Sequence, residues 1–205
     1  MVYKNIPDDS ASLAENVVQT LFEDHENNLF VGTENGLCLY NREKDCFLNY
    51  MIDKSSPLIG IICTVSKIAD DSLGNLWLAT SVGLIYFDRT KNQIIRFTHN
   101  PNNPESLSDD NAEDVLIDKN KRLWVATRKG LNLFLSESGT FKHFTRDDND
   151  SEDLSSVIFM NLAEDRDGYI WAGSTEGLYC LKNNSGGLNT NIIHYQNDDK
   201  DQYSL

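Results

Sequence analysis

Asp70-Asp71-Ser72-Leu73-Gly74-Asn75-Leu76-Trp77-Leu78-Ala79-Thr80-Ser81-Val82-Gly83-Leu84 reads as one turn, one strand and a second turn. Asp71 can accept hydrogen bonds from backbone N–H groups two or three residues on, and Gly74 supplies a left-handed position. Leu76 to Thr80 is a short β-prone run. Thr80-Ser81-Val82-Gly83 then closes as a tight turn ending on glycine.

The same stretch returns at a fixed interval. Gly-Leu stands at 36–37, 83–84, 130–131 and 177–178, each pair 47 residues from the next. In the same register run an aromatic column (Phe30, Trp77, Trp124, Trp171), an aspartate column (Asp24, Asp71, Asp118, Asp165) and a hydroxyl column (Thr33, Thr80, Thr127, Ser174). The glycines of the pairs are Gly36, Gly83, Gly130 and Gly177. Four columns in one register define a repeat, and a period of about 40–50 residues suits a propeller blade or a helical pair. The local pattern chooses the blade. The first unit gives β-rich runs at 17–23, 29–33, 36–41 and 47–50, and the second at 64–70, 76–80, 83–88 and 94–98. None is long enough for a typical helix, and the gaps are hairpin-sized. The expected fold is all-β: four tandem four-stranded antiparallel propeller blades at about 12–50, 59–97, 106–144 and 153–195.

Aromatic residues recur in every unit because blades must pack on one another, so their role is read as core. Asn27 and Lys121 replace the glycine of the first turn in units one and three; Asn tolerates a left-handed backbone, whereas Lys121 conflicts with it. Each unit closes on an aromatic followed nine residues later by a Ser-Leu-like pair. These are Tyr3 with Ser12-Leu13, Phe97 with Ser106-Leu107, Phe144 with Asp153-Leu154, and Tyr195 with Ser204-Leu205. Both ends of the chain therefore fall at one phase, and 196–205 begins a further repeat. The expectation is a segment of a longer array, a partial propeller. Its open blade faces would favour self-association, with two copies completing an eight-bladed ring as one geometry.

The chain has 205 residues, 18 Lys and Arg against 32 Asp and Glu, and a formal charge of −14. Such a surface repels phosphate backbones and anionic lipid, so neither nucleic acid nor direct membrane contact is expected. Cys38, Cys46, Cys63 and Cys180 lack metal-ligand spacing and read as structural thiols. No cofactor is expected. His25, His99, His143 and His194 show no acid or nucleophile partner in motif spacing, and Asp165-Arg166-Asp167-Gly168 lacks the later ligands of a calcium loop.

The unit 157–178, with Glu164-Asp165, Gly168, Ile170-Trp171, Gly173-Ser174 and Gly177-Leu178, resembles the two-component-regulator propeller repeat. Units two and three resemble it at Gly74-Asn75-Leu76-Trp77, Leu123-Trp124-Val125-Ala126-Thr127 and Gly130-Leu131; Phe30 for Trp and Ile117 for an acidic residue depart from it. The resemblance implies the periplasmic sensor of a hybrid histidine kinase in Bacteroides-like bacteria, a two-component phosphorelay protein in which propellers precede further sensor domains and a kinase. It implies an oligosaccharide signal, neighbouring propeller and sensor domains as partners, and no enzymatic activity in this segment. Similar repeats also occur in diguanylate cyclases.

In a propeller, loops into a blade and the turns between its second and third strands share one face. Asn35, Arg128, Lys129 and Glu176 are expected on those turns, and His99 and Asn111 on the loop into the third unit. They are the candidate ligand-binding residues. Arg128-Lys129, the adjacent basic pair there, could hold a uronic or sulfated sugar. Two other function classes compete: a carbohydrate-active propeller enzyme (lyase or glycosidase) and a generic protein-interaction propeller.

Overall fold

The computed structural model describes residues 2–50, 55–144, 154–183, 190–198, 200 and 204. Asp153 and Leu205 of the Ser-Leu-like pairs, and residues 184–189 of the fourth unit, lie outside them. The fold is all-β, as expected. Among the described residues the strands form four antiparallel four-stranded sheets in simple meander order. Blade 1 comprises β1 (Val18–Glu23), β2 (Leu29–Thr33), β3 (Gly36–Asn41) and β4 (Cys46–Asn49). Blade 2 comprises β5 (Val65–Asp70), β6 (Leu76–Thr80), β7 (Gly83–Asp88) and β8 (Gln93–Phe97). Blade 3 comprises β9 (Ala112–Ile117), β10 (Leu123–Thr127), β11 (Gly130–Leu135) and β12 (Thr140–Phe144). A 3-10 turn at Leu154–Ser156 leads into blade 4, with β13 (Phe159–Glu164), β14 (Ile170–Ser174), β15 (Gly177–Asn183) and β16 (Thr190–Tyr195).

Six strand limits in blades 1 and 2 differ by one residue from the sequence reading: the starts of β1, β4, β5 and β8 and the ends of β4 and β8. β1 and β5 start later because a bulge sits between Val18 and Thr20 and between Val65 and Lys67. β4 starts earlier because Cys46 pairs with Asn41 across the hairpin.

The chain divides into two compact units, 1–98 and 99–205, each of two blades. In the first, Phe30, Leu37, Leu58, Val65, Ile68 and Leu76 share one core between blades 1 and 2. In the second, Trp124, Leu131, Phe144, Leu154, Phe159 and Tyr179 do the same for blades 3 and 4.

The columns explain why each blade closes. Each aspartate takes the amides two and four residues on with one carboxylate oxygen: Leu73 and Asn75 for Asp71, Asn120 and Arg122 for Asp118, Asp167 and Tyr169 for Asp165. The expected spacing of two or three is thus two and four, since the amide three on bonds the aspartate's own carbonyl, as Gly74 does at 3.1 Å from Asp71. The residue at the tip must be left-handed. Asn27, Gly74, Lys121 and Gly168 have φ of 64°, 79°, 62° and 83°. Lys121 adopts the conformation its side chain disfavours, held by the carboxylate cage of Asp118. The hydroxyl column closes the second turn: Thr33, Thr80, Thr127 and Ser174 each donate to the carbonyl of the Gly-Leu glycine. That glycine is required. Gly83 has φ of 115°, and a Cβ there would lie 2.3 Å from the Phe97 carbonyl oxygen.

The other oxygen of the aspartate was not legible in the spacing. Trp124 Nε1 donates to Asp118 at 2.9 Å, and Trp171 Nε1 to Asp165 at 2.8 Å. In blade 1 Phe30 has no N–H, and Arg89 from blade 2 fills the place. Its Nη1 lies 2.7 Å from Asp24 Oδ2, and its guanidinium covers the Phe30 ring at 5.1 Å.

These carboxyls make stability pH-dependent. The Trp171 indole, with the Tyr169 and Asp167 amides, outweighs desolvation and holds Asp165 below the usual range. Burial would raise Asp24, but Asn28, Arg89 and the Glu26 amide outweigh it and lower it. Lys91 lowers Asp88 through its ammonium and amide. A depressed folded value stabilises above the unfolded value of about 3.9 and is lost as pH falls through the folded one. The thermal midpoint is therefore expected to hold above about pH 5 and to drop below about pH 4. Acidification also relieves the repulsion of a chain charged −14, so a midpoint that rises in acid would mean the turns contribute little.

The thiols behave as small apolar groups. Burial pushes those of Cys38 and Cys63 up to about 11, and that of Cys180 upward too. Among the described residues no helix is long and apolar enough to cross a membrane.

Candidate functional site

The loop leading into blade 3 fastens itself. Ser106 Oγ accepts from the Asn100 amide at 2.9 Å and donates to the Asn100 carbonyl at 3.2 Å. Ser12 does the same with Ile6, and Ser204 with Asp198. The lead-in is therefore another repeated structural device. His99 belongs to it. Its Nδ1–H donates to the Leu107 carbonyl at 2.9 Å, and its amide to Asp110 at 2.7 Å. Asn5 makes the corresponding bonds to the Leu13 carbonyl and to Asn16.

Blade 3 adds what the other blades lack. Asn132 is fully buried where Cys38, Ile85 and Tyr179 stand in the other units. Its Nδ2 donates to Ser108 Oγ at 2.8 Å and to the Val125 carbonyl, while its Oδ1 accepts from the Ser108 amide at 3.1 Å. Every polar atom of this buried amide is thus engaged in pinning the lead-in to the sheet. The sequence reading missed it, although a polar residue interrupting an otherwise apolar column was the available signal.

Between this pinned loop and β11–β12 lies a cavity of about 280 Å³, lined by His99, Ser108, Lys129, Gly130, Leu131, His143 and Phe144. His143, which has no acid or nucleophile partner in motif spacing, donates its Nε2–H to the Ser106 carbonyl at 2.7 Å, and its half-buried ring lines the wall.

Four of the six candidate residues gather at this end of blade 3. His99 and Lys129 line the cavity. The Arg128 amide donates to the Asn111 carbonyl, and Asn111 donates to Asp109, which faces Lys129 Nζ at 3.4 Å. Glu176 stands on the equivalent turn of blade 4, where its carbonyl accepts from His194. Asn35 occupies the equivalent turn in the other unit, its amide bonded to Thr33 Oγ1.

The charges at this end are paired. Arg128 Nε lies 2.6 Å from Glu113, and Lys129 is held by Asp109. Partial burial would raise Asp109, but both amides of Asn111 and the Lys129 ammonium hold it low and ionised. Asp110 caps the His99 amide. Arg128 and Lys129 are thus each paired with a carboxylate, and Asp110 adds a third acid at this end, which offers fixed donors and acceptors. Among the described residues no group of three or more His, Cys, Asp or Glu side chains is placed to hold a metal.

The two component regulator propeller family matches the chain at residues 12–35 and 153–176, the lead-in through the second-to-third strand turn of blades 1 and 4. Among solved structures, the extracellular domain of a B. thetaiotaomicron protein assigned as a hybrid two component system is 20% identical over 100% of this chain, with a TM-score of 0.76. The chain spans 25% of that structure's length. PorZ, a surface component of the type-IX secretion system of Porphyromonas gingivalis, is 17% identical with a TM-score of 0.62, covering 93% of this chain and 28% of its own. Virginiamycin B lyase from Staphylococcus aureus is 12% identical with a TM-score of 0.58, covering 93% and 58%. At these identities the structural likenesses show the fold. No protein of curated function matches the sequence.

Proposed function

We propose that this chain, which carries two component regulator propeller repeats, is an extracytoplasmic ligand-sensing segment of a two-component sensor, periplasmic in its parent protein. Its ligand is a neutral oligosaccharide seated at the lead-in end of blade 3. One observation carries the reading. The repeated columns are all engaged in closing the blades, whereas Lys129 and Asn132 have no counterpart of their kind in the other blades; Lys129 lines the cavity with His143, and Asn132 fixes Ser108 in its wall. Paired donors and acceptors on a preformed, mostly apolar wall suit a hydroxylated ring. Signalling then requires that the saccharide bind two arrangements of the sensor unequally.

Binding is favoured over catalysis. Glycoside hydrolysis needs two carboxyl groups flanking the bond. Here Asp109, Asp110 and Glu113 each already hold a cation or an amide.

Calorimetric titration against neutral, uronic and sulfated oligosaccharides tests this. The expected result is saturable binding of a neutral sugar, no product release, and a loss of about tenfold or more in Lys129→Ala. Asn35→Ala, on the same turn of the other unit, leaves affinity unchanged. Preference for the charged sugars, or turnover of any of them, overturns the reading.

A further inference from the structure

Two imidazoles wall the blade 3 cavity, and the fold assigns their protons. His99 Nδ1 lies 2.9 Å from the Leu107 carbonyl, and His143 Nε2 lies 2.7 Å from the Ser106 carbonyl. A carbonyl oxygen only accepts, so each of these nitrogens carries its ring's proton. In a neutral imidazole the other nitrogen is then an acceptor. His99 Nε2 and His143 Nδ1 are those acceptors, and neither has a partner among the described residues. Both rings line the cavity.

The hydroxyl in this wall has already spent its proton. Thr127 Oγ1 donates to the Gly130 carbonyl at 2.9 Å, so the 2.7 Å contact between Ser108 Oγ and Thr127 Oγ1 is a donation from Ser108. Ser108 Oγ in turn accepts from Asn132. Among the lining side chains Lys129 is left as the donor, its ammonium 3.4 Å from Asp109.

Comparison along the repeat shows that the acceptor of His99 is an addition to the fold. Asn5 holds the corresponding place before blade 1, and its Nδ2 donates to the Leu13 carbonyl at 2.7 Å. An amide nitrogen therefore suffices to fasten the lead-in. The imidazole does the same with Nδ1 and brings Nε2 besides. The counterpart of His143 in blade 4 is His194, which lies outside any such wall. Its Nε2 bonds the Glu176 carbonyl, and its ring stacks on Tyr179 at 4.0 Å.

We propose that His99 Nε2 and His143 Nδ1 are the specificity-determining acceptors of this cavity, each taking a hydroxyl hydrogen from the saccharide bound there. This deepens the sensing role proposed for the same cavity and rests on it. A sugar hydroxyl suits the wall because it gives its proton to an imidazole and offers its oxygen to Lys129. A carboxylate or sulfate in the same place has no proton to give.

Two measurements on the whole chain test this, at about pH 8, where an ordinary imidazole is neutral. Long-range proton–nitrogen correlation spectra are expected to show His99 protonated on Nδ1 and His143 on Nε2. The reverse tautomer at either ring overturns the assignment. Calorimetric titration then uses neutral gluco-, xylo- and manno-trisaccharides as probes. His99→Asn keeps a donor at the Nδ1 position and lacks Nε2, and His143→Gln keeps one at the Nε2 position and lacks Nδ1. Each is expected to weaken the tightest-binding trisaccharide about tenfold. Thermal midpoints stay within about 2 °C of wild type, because the lead-in bonds survive. His194→Gln leaves affinity unchanged. Unchanged affinity in His99→Asn and His143→Gln overturns the proposal and leaves the saccharide site standing. Lost affinity with a fallen midpoint also overturns it, since the ring then only fastens the loop. A wild type that binds none of the three sugars overturns the site and the proposal together.

Discussion

Trp124→Ala is expected to lower unfolding free energy by about 3–5 kcal/mol, whereas Trp171→Ala costs under about 2 kcal/mol. The two residues share a column, a hairpin and an aspartate bond, at 2.9 and 2.8 Å. They differ in cover. Trp124 is fully buried in the core between blades 3 and 4, and Trp171 keeps part of its ring in solvent. Removing Trp124 leaves a cavity beside Phe144 and Leu131 and also removes one donor from a fully buried carboxylate. Removing Trp171 empties space that water can enter. Urea unfolding of both variants measures the gap. Equal losses would mean that the indole–carboxylate bond, and not the neighbouring blade, dominates the column.

The second large effect lies in blade 1. Arg89→Ala is expected to cost about 3 kcal/mol, because it strips the cation from Asp24, whose side chain is 0% exposed. Asn28 and the Glu26 amide would remain as its partners. Phe30→Trp in the Arg89→Ala background should recover at least about half of the loss, since an indole N–H six residues after the aspartate reaches it in blades 3 and 4. Phe30→Leu in the same background is the control and should not recover. If Phe30→Trp also fails to recover stability, Arg89 acts by covering the ring at 5.1 Å and not by satisfying the carboxylate.

Much of the fold was legible because a repeat reports what every copy needs. Gly83 and its column had to be glycine, and Asp71 and its column had to cap a turn; both requirements are local and act within five residues. The Asp118–Trp124 bond was hidden by a spacing of six, which only the twist of a formed hairpin brings together. Arg89 reaching Asp24 spans 65 residues and compensates for a substitution. Single columns do not display such compensation. At the candidate site the positions on shared turns were readable, but the charges were not. Arg128 appears unopposed in the sequence, and its partner Glu113 comes alongside only once Thr127 pairs with Ala112. His99 is a candidate by its place on the loop into blade 3, yet it makes the same bond as Asn5.

The closure of each column within its own blade bears on how such chains change over generations. Asp–Trp, Asp–amide and Thr–Gly bonds all begin and end inside one 47-residue unit. A recombination that copies or deletes a whole unit therefore strands no buried donor or acceptor of these columns. Arg89–Asp24 is the exception, a tie that makes blades 1 and 2 heritable as a pair. Lineages can thus lengthen or shorten the array by whole blades without disturbing the turns that hold each blade closed.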